Sequence, residues 1–222
     1  MIRRIIELIY PRRCPFCFKC IPVGSEVCTD CIDLPYVDCV NYDPHAVFHF
    51  DKIAASFFYE DKVKNAIYRM KKGGQRILAA ELAKYMSLAI RREFKNISFD
   101  IIIYVPMTKE DISERGFNQA KDLAKHISKY LKIPVAKNAL YKVENKRHQK
   151  ELNAEERWKN AAGGYICRTD CLAEKTVLLI DDVMTTGATL NECSKTLKTA
   201  GAKEVFCAVI AMTRYKKMKN KI

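Results

Sequence analysis

The sequence predicts an α/β protein with a mainly parallel, twisted sheet flanked by helices and a small cysteine-rich module at its N-terminal end. Short apolar runs end in polar loops that lead into segments of helical periodicity, which is the order of elements around a parallel sheet. With 222 residues, 49% of them hydrophobic, the chain can bury one such core. Six of its ten cysteines lie in the first 39 residues. We therefore expect a metal-binding module and connector over residues 1–48 and an α/β domain over 49–222.

The N-terminal cysteines have the spacing of a zinc site. Cys14 and Cys17 form one Cys-x-x-Cys pair, and a second pair follows after ten residues. Two such turns direct four thiolates at one tetrahedral ion, and nothing in the set suggests an open catalytic position. Cys20 and Cys39 are alternative ligands. We predict a structural Zn²⁺ held by Cys14, Cys17, Cys28 and Cys31.

The first part of the α/β domain predicts one strand and two amphipathic helices. After a connector near residues 33–46, a strand is expected at 53–59, and helices are expected at about 62–72 and 76–92. Gly73 and Gly74 separate the helices. Their lysines and arginines either line a ligand cleft or face solvent, and the spacing does not decide between the two.

A second buried strand is expected over residues 100–105, ended by Pro106 and followed by a loop. In this loop Arg115 offers a guanidinium for phosphate oxygens, and Gly116 allows a close backbone approach. Asn118 opens the next helix, where it can serve as the N-cap. Ligands of parallel sheets collect at the carboxyl ends of strands, so this loop is expected to face a common cleft with later ones.

Two short strand-like pieces, residues 139–143 and 164–167, enclose a polar segment over 144–160 that is rich in long charged side chains. We interpret this segment as a mobile loop, and an exposed linker is the alternative.

The strongest functional signal lies in residues 177–189. Four apolar residues predict a buried strand, and Asp181 and Asp182 follow at its carboxyl end. Small or hydroxylated residues then open a segment with a helical apolar face. These loop residues are Thr185, Thr186, Gly187, Ala188 and Thr189.

This order of residues predicts a sugar-phosphate site. The N-terminus of a helix offers unpaired N–H groups to a monophosphate, and Gly187 lets the backbone come close. Asp181 and Asp182 suit vicinal sugar hydroxyls or the waters of a Mg²⁺ ion. Hydroxyls beside a 5′-phosphate describe a ribose phosphate. The alternative is an acidic strand end followed by a threonine N-cap.

The net charge indicates a class of partner, and the hydropathy pattern indicates where the protein is located. The net charge of +13 indicates a polyanionic partner such as nucleic acid, and a solvated lysine-rich surface is the alternative. No run approaches the roughly 18 apolar residues that span a bilayer, so we expect no integral membrane segment, no signal peptide and a cytoplasmic location.

The segment over 177–189 resembles the phosphoribosyl-diphosphate (PRPP) binding signature of type I phosphoribosyltransferases. The Arg-Gly-Phe-Asn-Gln-Ala run at 115–120 resembles the motif of the ComF family, which couples a four-cysteine zinc finger to such a domain. Residues 11–17 and the pattern over 149–165 are similar to that family as well. The resemblance covers nearly the whole chain.

The resemblance implies a DNA-uptake protein of natural transformation that binds PRPP with Mg²⁺ and also binds single-stranded DNA. Asp181 and Asp182 would hold the ribose hydroxyls, and residues 185–189 would surround the 5′-phosphate. In a ribosyl transfer with loss of diphosphate, these two acids and Arg115 would be the catalytic residues, with Gly116 beside the ligand. The segment over 144–160 would close over the diphosphate.

The same resemblance implies partners among the DNA-uptake machinery proteins, through which the protein would lie at the periphery of the inner membrane. The alternative is a phosphoribosyltransferase of nucleotide salvage with a structural zinc finger. Two departures affect catalysis more than binding. Asp111 stands where the family usually has an arginine, with Lys109 as the candidate replacement, and residues 146–148 replace the threonine usual before Gln149.

Overall fold

The computed structural model describes residues 11–34, 36–37, 47–72, 76–143, 163–168 and 172–214. Strands and helices alternate along these residues. The strands are β1 (Lys52–Phe58), β2 (Ile101–Tyr104), β3 (Leu140–Lys142), β4 (Tyr165–Cys167), β5 (Thr176–Ile180), β6 (Val183–Met184) and β7 (Glu204–Met212). The helices are α1 (Asp61–Lys72), α2 (Ile77–Glu93), α3 (Lys109–Arg115), α4 (Gln119–Leu131) and α5 (Ala188–Thr199), and a 3₁₀ turn spans Thr29–Cys31.

Five strands form one sheet in which every pair is parallel. The order is β1-β7-β5-β2, and β6 also pairs with β7. Leu178 of β5 lies between Phe206 of β7 and Ile102 of β2. All five residues of β5 are buried, as expected for a parallel sheet that is covered on both faces. The fold class predicted from the sequence is confirmed.

A separate two-stranded antiparallel ribbon is formed by β3 and β4, with Tyr141 opposite Ile166. Helix α2 packs against β1 and α4, and α4 packs against β2. The predicted apolar face of α2 is buried at Leu78, Leu82, Met86 and Ala89.

The cysteine-rich module packs on the α/β domain. The Phe16 ring centroid lies 5.2 Å from that of Phe57 in β1 and 5.5 Å from that of Tyr85 in α2. Arg69 of α1 donates through Nη2 to the carbonyl oxygens of Pro15, at 2.9 Å, and Phe16, at 2.8 Å. The module thus shares one apolar core with the sheet and helices.

Residues 109–115 form helix α3, so our expectation of a loop there was wrong. Thr108 Oγ1 accepts from the Asp111 N–H at 3.0 Å, while Asp111 Oδ2 accepts from the Thr108 N–H at 3.4 Å. This reciprocal capping box starts the helix, and Gly116 ends it in the left-handed conformation at φ 80°. The capping pair and Gly116 therefore define a short helix between the end of β2 and α4, where only a loop was expected.

Several predictions fall on residues that the structure does not describe. They are Cys39, Gly73 with Gly74, most of the 33–46 connector and the polar segment over 144–160. The division near residue 48 stays a prediction. Within the described ranges, none of the helices combines the length and the apolar character that crossing a membrane requires.

Candidate functional site

The acid pair lies directly after β5 and is held by the neighbouring strand. The Asp181 N–H donates to the Ala208 carbonyl at 3.1 Å, and the Asp182 carbonyl accepts from the Ile210 N–H at 3.0 Å. Asp181 Oδ1 also accepts from the Asp182 N–H at 2.8 Å. Both side chains are half-buried. The ladder to β7 therefore fixes the backbone from which the two carboxylates project.

A lysine from α1 completes this acid pair. Lys71 Nζ lies 2.8 Å from Asp182 Oδ2, and both side chains are largely shielded from solvent. Burial lowers the pKa of Lys71, but the charges of Asp182 and Asp181 outweigh it and leave that pKa above its usual value. The sequence left open whether the α1 lysines face the cleft, and the structure places this one in it.

The carboxyl group of Asp181 has a strongly shifted pKa. Burial, followed by the charge of Asp182, raises the pKa of Asp181 to about 7. The hydrogen bond from the Asp182 N–H and the charges of Lys71 and Lys142 act against this rise. Asp181 consequently changes charge near neutral pH, where a buried carboxyl without these cations would stay neutral.

The loop over residues 185–189 has the geometry of an anion site. Gly187 adopts φ 82° and is the N-cap of α5, a helix of 12 residues whose first N–H groups have no partners within the helix. Thr186 Oγ1 accepts from the Ala188 N–H at 3.4 Å, and Thr213 Oγ1 donates to the Thr185 carbonyl at 2.9 Å. Thr185, Thr186 and Gly187 form the loop, whereas Ala188 and the half-buried Thr189, which were expected in it, are the first residues of α5.

The conformation and surroundings of residue 187 disfavour any side chain there. A Cβ atom there would lie 2.8 Å from Met184 Cε and 2.8 Å from Phe48 Cε1. The same region is tied to the preceding connector, because the His49 N–H donates to Asn191 Oδ1 at 2.7 Å. Residues 48 and 49 thus hold the start of α5 in place.

Strand β4 adds a third side to the site, which the sequence did not reveal. Burial raises the pKa of Tyr165, as do the charges of Cys193 and Asp181, while a hydrogen bond with Thr189 opposes the rise. The phenol therefore stays protonated beside the loop and can donate a hydrogen bond to an anion. The Gly163 N–H donates to Glu192 Oε1 at 2.8 Å, which ties this strand to α5.

Arg115 and Gly116 lie at the end of α3, and the Arg115 side chain is exposed. Among the described residues, no hydrogen bond or ion pair joins Arg115 to the acid pair. Asn118 is the N-cap of α4, as expected, because its Oδ1 accepts from the Lys121 N–H at 3.0 Å. Its Nδ2 donates to the Val105 carbonyl at 3.1 Å, which ties the motif to the end of β2. The roles of Arg115 and Gly116 stay predictions.

Asp111, the departure from the family pattern, has a structural role. Besides capping α3, its Oδ2 lies 3.3 Å from Lys142 Nζ of β3. Burial raises the pKa of Asp111, but the Lys142 charge and the Thr108 hydrogen bonds outweigh it and hold that pKa below its usual value. Asp111 therefore links α3 to the β3–β4 ribbon, and Lys142 brings a cation near Asp181.

The four cysteines of the two Cys-x-x-Cys pairs converge in the structure. The Sγ atoms of Cys14, Cys17, Cys28 and Cys31 lie within 4.8 Å of one another. Zinc–sulfur bonds of about 2.3 Å in a tetrahedron place sulfur atoms about 3.8 Å apart, so this group can hold a metal ion and suits Zn²⁺. Cys20 is exposed and lies outside the group.

Backbone hydrogen bonds favour a thiolate at one of these cysteines. Burial by itself raises the pKa of Cys14, but hydrogen bonds from the backbone of Cys17, Cys28 and Phe16 outweigh it and lower that pKa to about 7. Thiolates are the form of cysteine that binds metals. The residues present therefore fit a structural zinc ion.

Comparisons with known proteins found one matching domain family and several similar proteins. The phosphoribosyl transferase domain family matches residues 112–221. Competence protein F of Haemophilus influenzae is 30% identical over 202 residues, which cover 86% of this chain and 82% of that protein. Competence protein ComFC of Streptococcus pneumoniae is 29% identical over 202 residues, 90% of this chain and 80% of that protein. A purine phosphoribosyltransferase structure from Pyrococcus horikoshii aligns with a TM-score of 0.37 at 23% identity, covering 59% and 73% of the two chains.

The parallel sheet, the acid pair with its glycine loop and the four-cysteine group define a protein with a phosphoribosyltransferase fold and an N-terminal group of four cysteines that could hold a metal ion. Within that class, the 30% identity to competence protein F over 82% of its length identifies the family. The chain belongs to the ComF family of competence proteins, as its sequence motifs predicted.

Proposed function

We propose that this protein acts in DNA uptake during natural transformation and that it binds both PRPP and single-stranded DNA. The observation that carries the PRPP part is the acid pair at the end of β5, held against β7 and followed at once by a left-handed Gly187 at the start of α5. The names of the two competence-protein relatives support the DNA-uptake part.

In this proposal each part of the ligand has its own contact. Asp181 and Asp182 accept hydrogen bonds from the ribose hydroxyls through their carboxyl oxygens. The N–H groups of residues 185–189 bind the 5′-phosphate at the start of α5. Lys71 keeps the acid pair from repelling a highly charged anion, because its amine already neutralises Asp182 at 2.8 Å.

Mg²⁺ bound with PRPP would supply positive charge at the diphosphate. The acid pair fits such an ion, because hard cations prefer carboxylate and water oxygens. Arg115 would then assist at the departing diphosphate, and Asp181 with Asp182 would hold the ribose in position during a ribosyl transfer. These three residues are our proposed catalytic set.

The proposed nucleic-acid partner is supported by charge and by the cysteine-rich module. The chain carries a net charge of +13, more than PRPP alone requires. In the module, the exposed Phe18 ring lies 4.7 Å from the Arg13 guanidinium carbon and 5.4 Å from that of Arg69. Aromatic rings beside cations suit single strands, because bases stack on the ring and phosphates bind the cations.

Thermal denaturation with PRPP and Mg²⁺ tests the ligand. A ligand that binds only the folded state raises the melting temperature, and the Asp181→Asn, Asp182→Asn double variant should lose that rise while staying folded. The matched control is Asp33→Asn, Asp61→Asn, which removes two exposed carboxylates elsewhere and should keep the full rise. An undiminished rise in the site variant would mean that the ribose contacts are assigned to the wrong residues.

A phosphoribosyltransferase of nucleotide salvage is the second candidate, favoured by the family match that includes the whole loop over 185–189. The protein incubated with PRPP, Mg²⁺ and a panel of bases decides between the two. Diphosphate release with one base, without affinity for single-stranded DNA at low salt, would support salvage. DNA binding that weakens steeply with salt supports the DNA-uptake proposal.

A further inference from the structure

A cavity of about 630 Å³ lies beside the candidate PRPP site, between the end of β2, helix α3, the start of α4 and the β3–β4 ribbon. This volume is typical of sites for small ligands. Among the residues that line it are Tyr104, Thr108, Asn118 and Asn138. Neither the acid pair nor residues 185–189 are among its described lining residues, so the cavity adjoins the candidate PRPP site without including those groups.

The cavity is bordered by four cations. Lys142 pairs with Asp111, but within the described parts of the chain Lys109, Lys121 and Arg168 have no carboxylate partner. All three are exposed at the cavity. The uncompensated charge at this cavity therefore favours an anionic occupant.

The cavity also has an aromatic and apolar wall. Tyr141 and Ile166 are cross-strand partners in the ribbon, with 37% and 45% of their surface exposed. The guanidinium carbon of Arg168 lies 4.6 Å from the Tyr141 ring centroid. A phenol ring with a guanidinium stacked on it is a platform on which a nucleobase can stack.

We propose that this cavity binds one nucleotide unit of a single-stranded nucleic acid, with its base against Tyr141 and its phosphates on Lys109 and Lys121. This inference rests on the nucleic-acid part of the proposed function and names where the strand binds. Neither phosphate alone nor an apolar ligand matches both the cations and the aromatic wall, whereas a nucleotide has both a charge and a stacking face.

The position of the cavity is expected to affect the binding of PRPP. Lys142 lines the cavity, contacts Asp111 at 3.3 Å and lowers the pKa of Asp181 through its charge. A phosphate bound in the cavity would interact with the same Lys142 ammonium group. Strand binding and PRPP binding are therefore expected to influence each other through Lys142.

The test is fluorescence anisotropy of a labelled thymidine 12-mer with the full-length protein. Lys109→Ala, Lys121→Ala should weaken binding about 10-fold or more and make the slope of log affinity against log salt shallower by about 1.4, since each lost phosphate contact in a single strand accounts for about 0.7. Alanine keeps the α3 helix and the Lys121 N–H bond to Asn118. The matched control is Lys129→Ala, Lys203→Ala, two exposed lysines away from the cavity, which should change the slope much less.

Variants at Tyr141 test the contribution of base stacking to binding separately from that of charge. Tyr141→Ala should weaken 12-mer binding about 10-fold, whereas Tyr141→Phe keeps the ring and should bind like the unchanged protein. Thymidine monophosphate is the second probe. If the monophosphate binds weakly and the 12-mer binds strongly, the ligand of the cavity is a nucleic-acid strand. Equal affinity per site for both probes would instead indicate a free nucleotide and overturn the strand assignment.

The possible failures point to different conclusions. If the unchanged protein binds the 12-mer and both cavity variants bind it equally well, this inference is wrong, and the proposed DNA role stands with its site elsewhere. If the unchanged protein does not bind the 12-mer at low salt, both the inference and the DNA part of the proposed function are wrong. The PRPP-induced rise in melting temperature reports separately on the PRPP part.

Discussion

Lys71 and Asp182 form an ion pair across the candidate site, with 2.8 Å between Nζ and Oδ2. The lysine comes from the last turn of α1 and the aspartate from the end of β5, so two elements far apart in the chain meet there. The pair neutralises one of two adjacent carboxylates before any ligand binds. It also connects α1, which contacts the cysteine-rich module through Arg69, to the site.

Replacing Lys71 by methionine should weaken PRPP binding about 10-fold and reduce the stability of the folded protein by about 1–2 kcal/mol. The reason is that Asp182 would be left half-buried without its cation, which makes the site more repulsive to anions. The measurement is the PRPP-induced rise in melting temperature. Lys72→Met is the control, because Lys72 is exposed and, among the described residues, interacts only with the Tyr68 ring, whose centroid lies 5.4 Å from its Nζ. Equal effects of the two variants would contradict the role of the ion pair.

The raised pKa of Asp181 predicts a pH dependence of stability. Its carboxyl has an ordinary pKa of 3.8, raised to about 7 in the folded protein. The folded state then binds this proton more tightly than the unfolded state, so the contribution of Asp181 to stability declines as the pH rises from about 4 to about 7. Asp181→Asn, which cannot titrate, should gain stability relative to the unchanged protein between pH 5 and pH 8, on the order of 1–3 kcal/mol.

Urea denaturation at several pH values measures this difference. Asp33→Asn, at an exposed position, should give a curve parallel to that of the unchanged protein. A parallel curve for Asp181→Asn as well would mean that Asp181 is already ionised at pH 5.

The acid pair and its loop could be predicted from the sequence because their chemistry is contiguous. Asp181 to Thr189 are contiguous in the sequence and follow β5, so local rules for strands and helix starts place them together, although the short strand β6 within them was not predicted. Lys71 could not be predicted in this way. Periodicity places it on α1, but its distance from Asp182 depends on how α1 packs beside the sheet.

Two further elements show different limits of sequence reasoning. The β3–β4 ribbon brings Tyr165 and Lys142 to the site. Tyr165 ends the family-like pattern over 149–165, but that pattern gave it no role, and Lys142 belongs to no motif. Strand β7 did carry a signal, an unbroken apolar run over 205–212, and it was overlooked although it pairs with β1, β5 and β6. Because β7 is central, its backbone holds Asp181 and Asp182 in place.

Gly187→Ala should disrupt the phosphate loop. The new Cβ would lie 2.8 Å from atoms of Met184 and Phe48, and alanine is disfavoured at φ 82°. We expect a loss of stability of about 2–4 kcal/mol and no PRPP-induced rise in melting temperature. Gly201→Ala is the control, because φ at Gly201 is also positive, at 97°, but the atom nearest to a Cβ there would be 3.5 Å away. This variant should lose only about 1–2 kcal/mol of stability and should still bind PRPP. Equal losses would show that the Gly187 loop shifts easily.

The four-cysteine group should hold about one zinc ion per chain, and the folded module should depend on it. The module is too small to fold by burial alone, so loss of metal exposes Phe16 and its contacts with Phe57. Cys17→Ser should abolish stoichiometric zinc and destabilise the protein by about 3 kcal/mol or more, a decrease in melting temperature on the order of 10 °C. Metal analysis with thermal denaturation measures both. Cys20→Ser, outside the group, should keep its zinc, and zinc-free unchanged protein with full stability would show that packing alone holds the module.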